Sequence, residues 1–450
     1  MKKLIILSCC LSALFIGKIS FAQTWIELGG PDGLAPNGFI RDLASGPADT
    51  VYAAGEFTNS IGKYYVAIYH SSAWHELAGI DSLNANGPIY TLYYASNGAL
   101  YAAGAFTNSA GKYYVAKWDG SSWTEVGGDN SLQANNPIFA LHVDQAGNLY
   151  TGGLFTNQSG FPYVAKWDGS SWSSIGSTHD FADIIGTIMC FDSDSDGNIY
   201  VGGGYLNGYL NSSVVKFDGT NWTELGGTNA LAANNLIYSI KLDELGNLYA
   251  AGGFSNQAGY AYVAKFNGST WGELSGSNTI QANSEIREII VENSQSIFCA
   301  GGFTNTNGNS YVAHWDGTNW GESGSTDTDW LGTIYTLSSN QIGKITAAGA
   351  FLNSQSHPFV AIRDFTIGIH ASNSSPNIHI YPNPSHNQLT IGYSDESIKS
   401  IQIFDLAGNL ISNYSVTSNS IDIHNLSSGI YLIAYKYASG LTAYERFMKD

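Results

Sequence analysis

A tryptophan followed shortly by glycine recurs at Trp25, Trp74, Trp123, Trp172, Trp222, Trp271 and Trp320, in steps of 49 or 50 residues. No other feature constrains the fold as strongly. A fixed period of that length marks a string of like units that must stack on one another to bury their apolar faces. Two further landmarks keep the same period. A Gly-x-Phe/Tyr-x-Asn element puts its ring at Phe57, Phe106, Phe155, Tyr205, Phe254, Phe303 and Phe351. A Val-Ala-Lys-Trp-Asp-Gly element is clearest at Val115 to Gly120 and Val164 to Gly169.

Each unit reads as four short strands. In the third unit a strand from Pro137 to Val143 leads through Gln145-Ala146-Gly147-Asn148 into Leu149 to Phe155. A polar loop, a strand ending at Trp167, the turn Asp168-Gly169 and a last strand from Trp172 complete it. Asp-Gly between β-rich runs is a hairpin signal, because glycine accepts the positive φ of a tight turn. No sustained 3.6-residue apolar period runs through the array, which argues against helical repeats. With 13% aromatic and only 12% charged residues, the composition also favours strands. Four strands per unit, seven times, is the pattern of an all-β, seven-bladed β-propeller; an open solenoid is the alternative architecture. The array opens on an outer strand at Trp25 and ends at Phe365 with three strands in its last unit. The first strand is therefore expected to complete the seventh blade and remove the open edges. The glycine before each ring, such as Gly104 or Gly153, fits a crowded site where sheets pack face to face, with Trp and Phe as apolar filling between them. In sequence the array, from Trp25 to Phe365, is similar to kelch-like and other bacterial secreted propeller repeats. That resemblance implies a fold and is nearly silent on function.

After Phe365 the period stops. Residues 366–376 read as a linker, and 377–450 as alternating runs divided by turns, the pattern of a small Ig-like β-sandwich. Tyr381-Pro382-Asn383-Pro384 opens this segment, Ala407-Gly408 and Ser428-Gly429-Ile430-Tyr431 follow, and Arg446-Phe447-Met448-Lys449 closes it. This order resembles the type A C-terminal sorting domain of the type IX secretion system. The resemblance implies a sorting signal carried by Pro382, Asn383, Pro384, Gly408, Gly429, Tyr431 and Lys449, with the type IX machinery as partner. A plain Ig-like binding module is the bland reading. At the other end, Lys2 and Lys3 precede the apolar run Leu4 to Ile16, and Ser20-Phe21-Ala22 offers a small-x-small cleavage site. Residues 1–22 thus read as a secretory signal peptide, residues 23–365 as the propeller. A lipoprotein reading would use Cys9 or Cys10, but both lie inside the apolar run. The expected destination is the outer-membrane surface or the medium.

Cleavage after Ala22 leaves 15 basic against 36 acidic residues. A net charge of -21 repels phosphate backbones, so nucleic acid is excluded as a partner, and an anionic membrane surface is disfavoured alike. No later segment is long and apolar enough for a transmembrane helix. Cys190 and Cys299 fall at different places in their repeats and read as buried thiols; nothing suggests an oligomer.

Candidate chemistry is sparse. Asp192, Asp194 and Asp196 alternate like the ligands of a calcium loop, but Gly203 stands where a bidentate acid would close it; an acidic hairpin turn is the competing reading, and no other cofactor is expected. Arg41 and Arg287 occupy the innermost-strand position where other units carry Tyr90, Phe139 and Tyr238, with Asp42 and Glu288 beside them. They read as channel-lining ion pairs or as a ligand grip. Loops rich in Asn and Tyr, including Tyr64 and Tyr113, should share one face and suit sugar rings, or merely cap their own turns. The function expected is binding or adhesion, toward a glycan or a surface protein, by a secreted or surface-displayed monomer. The alternative is a secreted glycosidase or lyase working in the channel.

Overall fold

The computed structural model describes residues 24–364 and 379–449, apart from 31–32, 48, 80–82, 177–184, 207–210, 277, 327–329, 341–343, 354, 382, 393–397, 405–409, 416–419 and 438–441. The expected signal peptide and linker, together with Pro382 and Gly408, lie outside the described residues. Thr24–Asp364 forms one compact unit and the tail a second. Every described element is a strand.

Among the described residues seven sheets make up the first unit, six of them antiparallel and running from an innermost to an outermost strand in chain order. The innermost strands, from Ile40–Ser45 to Ile334–Ser339, touch their neighbours in a closed cycle, the last against the first. This is a β-propeller. The seventh sheet is completed by Thr24–Glu27, which pairs antiparallel with Pro358–Asp364: Trp25 lies opposite Arg363 and Glu27 opposite Ala361. Ser325–Thr326 adds a short parallel strand outside it.

The core lies between sheets. Second strands such as Leu100–Gly104 and Leu248–Gly252 are buried at every residue, because a neighbouring blade covers each face. Their sequence, Leu-Tyr-Ala-Ala-Gly, accordingly lacks the alternation of a half-solvated strand. Phe57, Phe106, Phe155, Phe254, Phe303 and Phe351 are fully buried. Phe106 meets Tyr114 edge-on at 4.9 Å, and Phe303 meets Tyr311 likewise, a favoured aromatic geometry.

The recurring glycine has a different cause from sheet-on-sheet crowding. In every blade the first strand carries a β-bulge, at Ile40/Asp42 in blade 1 and Ile89/Thr91 in blade 2. The bulge pushes a backbone carbonyl toward the second strand. A Cβ on Gly104 would lie 2.3 Å from the Pro88 oxygen, and one on Gly301 would lie 2.0 Å from the Glu285 oxygen. The glycine is required within its own sheet.

The outer-strand tryptophans do more than fill space. Every indole but that of Trp123 reaches back to the previous blade: Trp74 Nε1 donates to Leu28 O at 2.9 Å, Trp172 to Val126 O at 3.0 Å and Trp320 to Leu274 O at 2.9 Å. Trp25 Nε1 donates to Ser323 O across the ring closure.

The tail forms two sheets. His379–Tyr381, Gln388–Gly392 and Ser420–Asp422 make one; Leu410–Ser415, Ile398–Phe404, Gly429–Tyr437 and Thr442–Lys449 make the other. Leu389, Ile401, Ile403, Ile433, Tyr435 and Phe447 are buried between them.

Candidate functional site

The bulge that demands glycine also aims one side chain per blade at the mouth of the central channel. Those side chains are Arg41, Tyr90, Phe139, Met189, Tyr238, Arg287 and Tyr335, all half-buried and all lining a cavity of about 690 Å³. They form a collar of rings broken by two guanidiniums. Arg41 lies over Tyr335 at 4.3 Å, and Arg287 lies over Tyr238 at 4.2 Å and within 5.9 Å of Tyr335. Such cation–π stacking fixes both long side chains against the collar.

The expected partners of these arginines prove different. Arg41 donates through Nε at 2.8 Å, and also through Nη2, to Glu56 Oε1. Arg287 donates through Nε at 3.2 Å and Nη2 at 3.0 Å to Glu285 Oε1. Neither pairs with the acid that follows it. At the bulge the arginine and the acid after it both line the channel cavity. But Asp42 is taken by Leu43 N, Leu92 N and Thr336 Oγ1 and Glu288 by Ser239 Oγ, and the guanidiniums pair with Glu56 and Glu285 instead. Both glutamates interrupt their repeats, at positions where other blades carry Ala105 or Leu154 and Pro88 or Pro137, and that interruption was the signal in the sequence.

Asp42 and Glu288 sit deeper in the channel. Asp42 Oδ1 accepts from Leu43 N at 2.8 Å and Thr336 Oγ1 at 3.1 Å, and its Oδ2 accepts from Leu92 N at 2.7 Å. It thereby joins blades 7, 1 and 2. Three blades further on, Asp192 joins blades 4 and 5, accepting from Ser193 N at 2.8 Å and Leu242 N at 2.6 Å. Glu288 Oε1 accepts from Ser239 Oγ at 2.8 Å. Burial pushes Asp42 up to about 6 against those backbone hydrogen bonds, and pushes Glu288 up to about 7, with Lys241 pulling down and Asp42 adding to the rise. Lys241, half-buried on the same wall, would be lowered by burial, yet Glu288 and Asp192 hold it above its ordinary value. His142 is driven down to about 4 by burial, with its Nε2 2.8 Å from Ser193 Oγ. The sequence did not single out Lys241, His142 or Tyr335, because they come from three different sheets, each more than 90 residues from the next.

Asp192, Asp194 and Asp196 do not converge. Asp194 accepts from Asn198 N and Asn198 Nδ2 at 3.0 and 2.7 Å and from Tyr200 OH at 3.0 Å. Asp144 and Asp243 make the same turn. Asp196 is exposed, and no group of three metal-binding side chains occurs among the described residues.

The Asn-rich loops are likewise occupied by their own turns. Asn59 Oδ1 accepts from Ile61 N at 3.2 Å and Lys63 N at 3.0 Å, and its Nδ2 donates to Glu76 at 3.0 Å. Asn86 clamps Thr107 through both its oxygen and its nitrogen. Tyr64 and Tyr113 are half-buried and bridge to Ala85 and Ala134 at the start of the next blade; neither lines the channel cavity.

In the tail, Asn383 Oδ1 accepts from Met448 N at 2.8 Å. Ser385 bridges to Lys449, which pairs with Gly429, and Tyr431 stacks on Phe447 at 5.6 Å. Motifs some 65 residues apart in the chain thus share one end of the sandwich.

Together these features define a β-propeller with an Arg- and Tyr-lined channel mouth, followed by a separate β-sandwich. Residues 379–449 match the secretion system C-terminal sorting domain. The chain therefore carries a type IX sorting tail and is a secreted or cell-surface protein. No curated protein matches it. Among solved structures it is similar to PorZ, an essential bacterial surface component of the type-IX secretion system of Porphyromonas gingivalis, at 14% identity and a TM-score of 0.51, covering 92% of this chain and 60% of that one. The extracellular domains of BT3049 and BT4673 from B. thetaiotaomicron align at 12% and 13% identity, each with a TM-score of 0.51, over 95% of this chain and 57% and 58% of theirs. The chain thus spans less than two thirds of the length of these proteins, and the likeness is one of fold.

Proposed function

We propose that this is a non-catalytic recognition or adhesion protein that presents the channel collar to a ligand outside the cell. Residues 1–22 serve as the signal peptide, 23–365 as a kelch-like passenger, 366–376 as linker and 377–450 as the segment recognised by the type IX machinery. One observation carries the reading. Asp42 and Asp192 spend both carboxylate oxygens on backbone N–H groups of their own and the next blade, so they brace the ring instead of facing a substrate. At the collar, Nη1 of Arg41 and of Arg287 has no partner among the described residues. A glycan array probed with the purified chain is expected to give binding that Arg41→Ala and Arg287→Ala abolish. A chain lacking 377–450 is expected to stay in the periplasm; its appearance at the surface would overturn the export assignment.

A secreted glycosidase or lyase is the second reading, favoured by Glu288, a channel carboxyl held at about 7 and so poised to exchange protons at neutral pH. Turnover of a chromogenic glycoside that Glu288→Gln removes would replace recognition with catalysis.

A further inference from the structure

The collar is not uniform around the ring. A second cavity, of about 320 Å³, opens between blades 5 and 6 and shares Tyr238 and Arg287 with the channel cavity. Repeat differences explain its place. Beside the collar, blade 1 carries Glu56 and Tyr64; the same two positions in blade 5 are Gly253 and Ala261. Tyr64 and Ala261 hold the same register, bridging to Ala85 and Ala282 of the next blade. Tyr64 puts a half-buried phenol at that position in blade 1; Ala261 puts only a methyl there in blade 5, and the space beside it belongs to the groove. Gly253 keeps it open beneath Asn235, since a Cβ there would come within 3.0 Å of the Asn235 side chain.

The free groups have a distinct chemistry. Arg41 and Arg287 each give Nε and Nη2 to one carboxylate oxygen, leaving Nη1 of each without a partner among the described residues. Glu56 Oε2 is equally unused, and Asn235 Nδ2 has no acceptor among the described residues, its Oδ1 being taken by Leu236 N. Each guanidinium is neutralised by its glutamate, so the mouth sets donor beside acceptor without excess charge. That arrangement complements a vicinal diol, which donates and accepts at once, and the rings between offer an apolar face. A ligand carboxylate or sulfate would meet Glu56 and Glu285 as well as the arginines.

We propose that the channel mouth and the groove between blades 5 and 6 form one two-part site for a linear, uncharged oligosaccharide, its terminal sugar at the Arg41–Tyr335–Arg287 collar and the following sugars leaving over Gly253 and Ala261. The inference rests on recognition at the collar. Calorimetric titration of the full mature chain with cellopentaose, mannopentaose, xylopentaose and pentagalacturonate, and with the matching disaccharides, tests it. At least one neutral pentaose is expected to bind at least tenfold more tightly than pentagalacturonate. Ala261→Tyr, which installs the blade 1 side chain, is expected to weaken that pentaose at least tenfold and leave its disaccharide within twofold. Asn235→Ala, at an exposed position, is expected to weaken the pentaose three- to tenfold, and it decides the matter if Ala261→Tyr does not fold. A pentaose affinity unchanged in these variants overturns the groove while leaving the collar standing. Tighter binding of pentagalacturonate overturns the ligand class. Failure of the unmodified chain to bind any of the probes removes recognition at the collar and this inference with it.

Discussion

Asn353 shows how one residue type builds the same turn wherever the repeat returns. Its backbone N–H donates to His357 O and its Oδ1 accepts from Gln355 N and His357 N, as Asn59, Asn108 and Asn256 do in their blades. The fourth residue of the turn has positive φ, and it is glycine at Gly62, Gly111, Gly259 and Gly308, with φ between 72° and 85°. In blade 7 it is Ser356, at φ 63°. A side chain there crowds the backbone by about 1 kcal/mol. Ser356→Gly is therefore expected to raise unfolding stability by about 0.5–1 kcal/mol in urea denaturation, and Gly111→Ala to lower it by about 1 kcal/mol; equal stability of all three chains would refute the argument. This turn was legible in the sequence, since Asn and Gly recur at a fixed offset. The partners of Arg41 and Arg287 were less so. Their glutamates lie across a bulge whose position follows from backbone geometry, not from residue type. The calcium-like spacing of Asp192, Asp194 and Asp196 misleads for a related reason: the first bonds to Leu242 N of the next blade while the second caps its own hairpin.

At the scale of strands, the tryptophan landmark was read as apolar filling, and the structure adds a directional bond that composition does not reveal. The indole of each outer strand, except that of Trp123, meets a carbonyl where the previous blade's outer strand ends. Val126 O, which accepts from Trp172, also accepts from Ser131 Oγ at 2.7 Å, whereas Leu225 O takes the Trp271 indole at 3.0 Å. Removing that donor while keeping a ring leaves the buried carbonyl unpaired, a loss of about 1–2 kcal/mol. Trp271→Phe is expected to show it. Trp123 provides the comparison, because its Nε1 is buried without a partner; Trp123→Phe is expected to cost about 1 kcal/mol less than Trp271→Phe in the same denaturation experiment. Matching losses at the two sites would mean that packing alone explains the tryptophans. Elements themselves were legible: four strands per unit, the Asp-Gly hairpins, and the outer strand supplied from the start of the array. The groove between blades 5 and 6 was not, because it arises from what Gly253 and Ala261 omit.

At the scale of the whole ring, the channel's ionisable groups come from separate blades, so no local reading of the chain assembles them, and their effects on stability oppose one another. Burial raises Asp42 from 3.8 to about 6 and Glu288 from 4.5 to about 7. The folded ring therefore binds more protons at these two sites than the unfolded chain does between pH 4 and 7, and they make stability fall as pH rises through that window. Burial lowers His142 and His314 from 6.5 to about 4. At these sites the unfolded chain binds more protons between pH 4 and 6.5, so they make stability rise over nearly the same range. The two pairs offset each other, and the intact protein is expected to show a nearly level stability from pH 4.5 to 6.5. Glu288→Gln keeps an acceptor for Ser239 and removes one falling contribution; its stability is expected to climb by about 2 kcal/mol from pH 4.5 to 7. His142→Gln is expected to do the reverse, declining by a similar amount. Below pH 4 a different set takes over: the Asp119 and Asp168 turns, held at about 2 by backbone hydrogen bonds first and serine hydroxyls beside them, lose their contribution as they protonate, and every variant is expected to weaken together. Urea midpoints across pH 3–8 for the three chains decide the point. Parallel curves from pH 4.5 to 7 would mean that the channel groups stay hydrated and uncoupled from folding, and that the ring is not braced by the buried carboxylates at its centre.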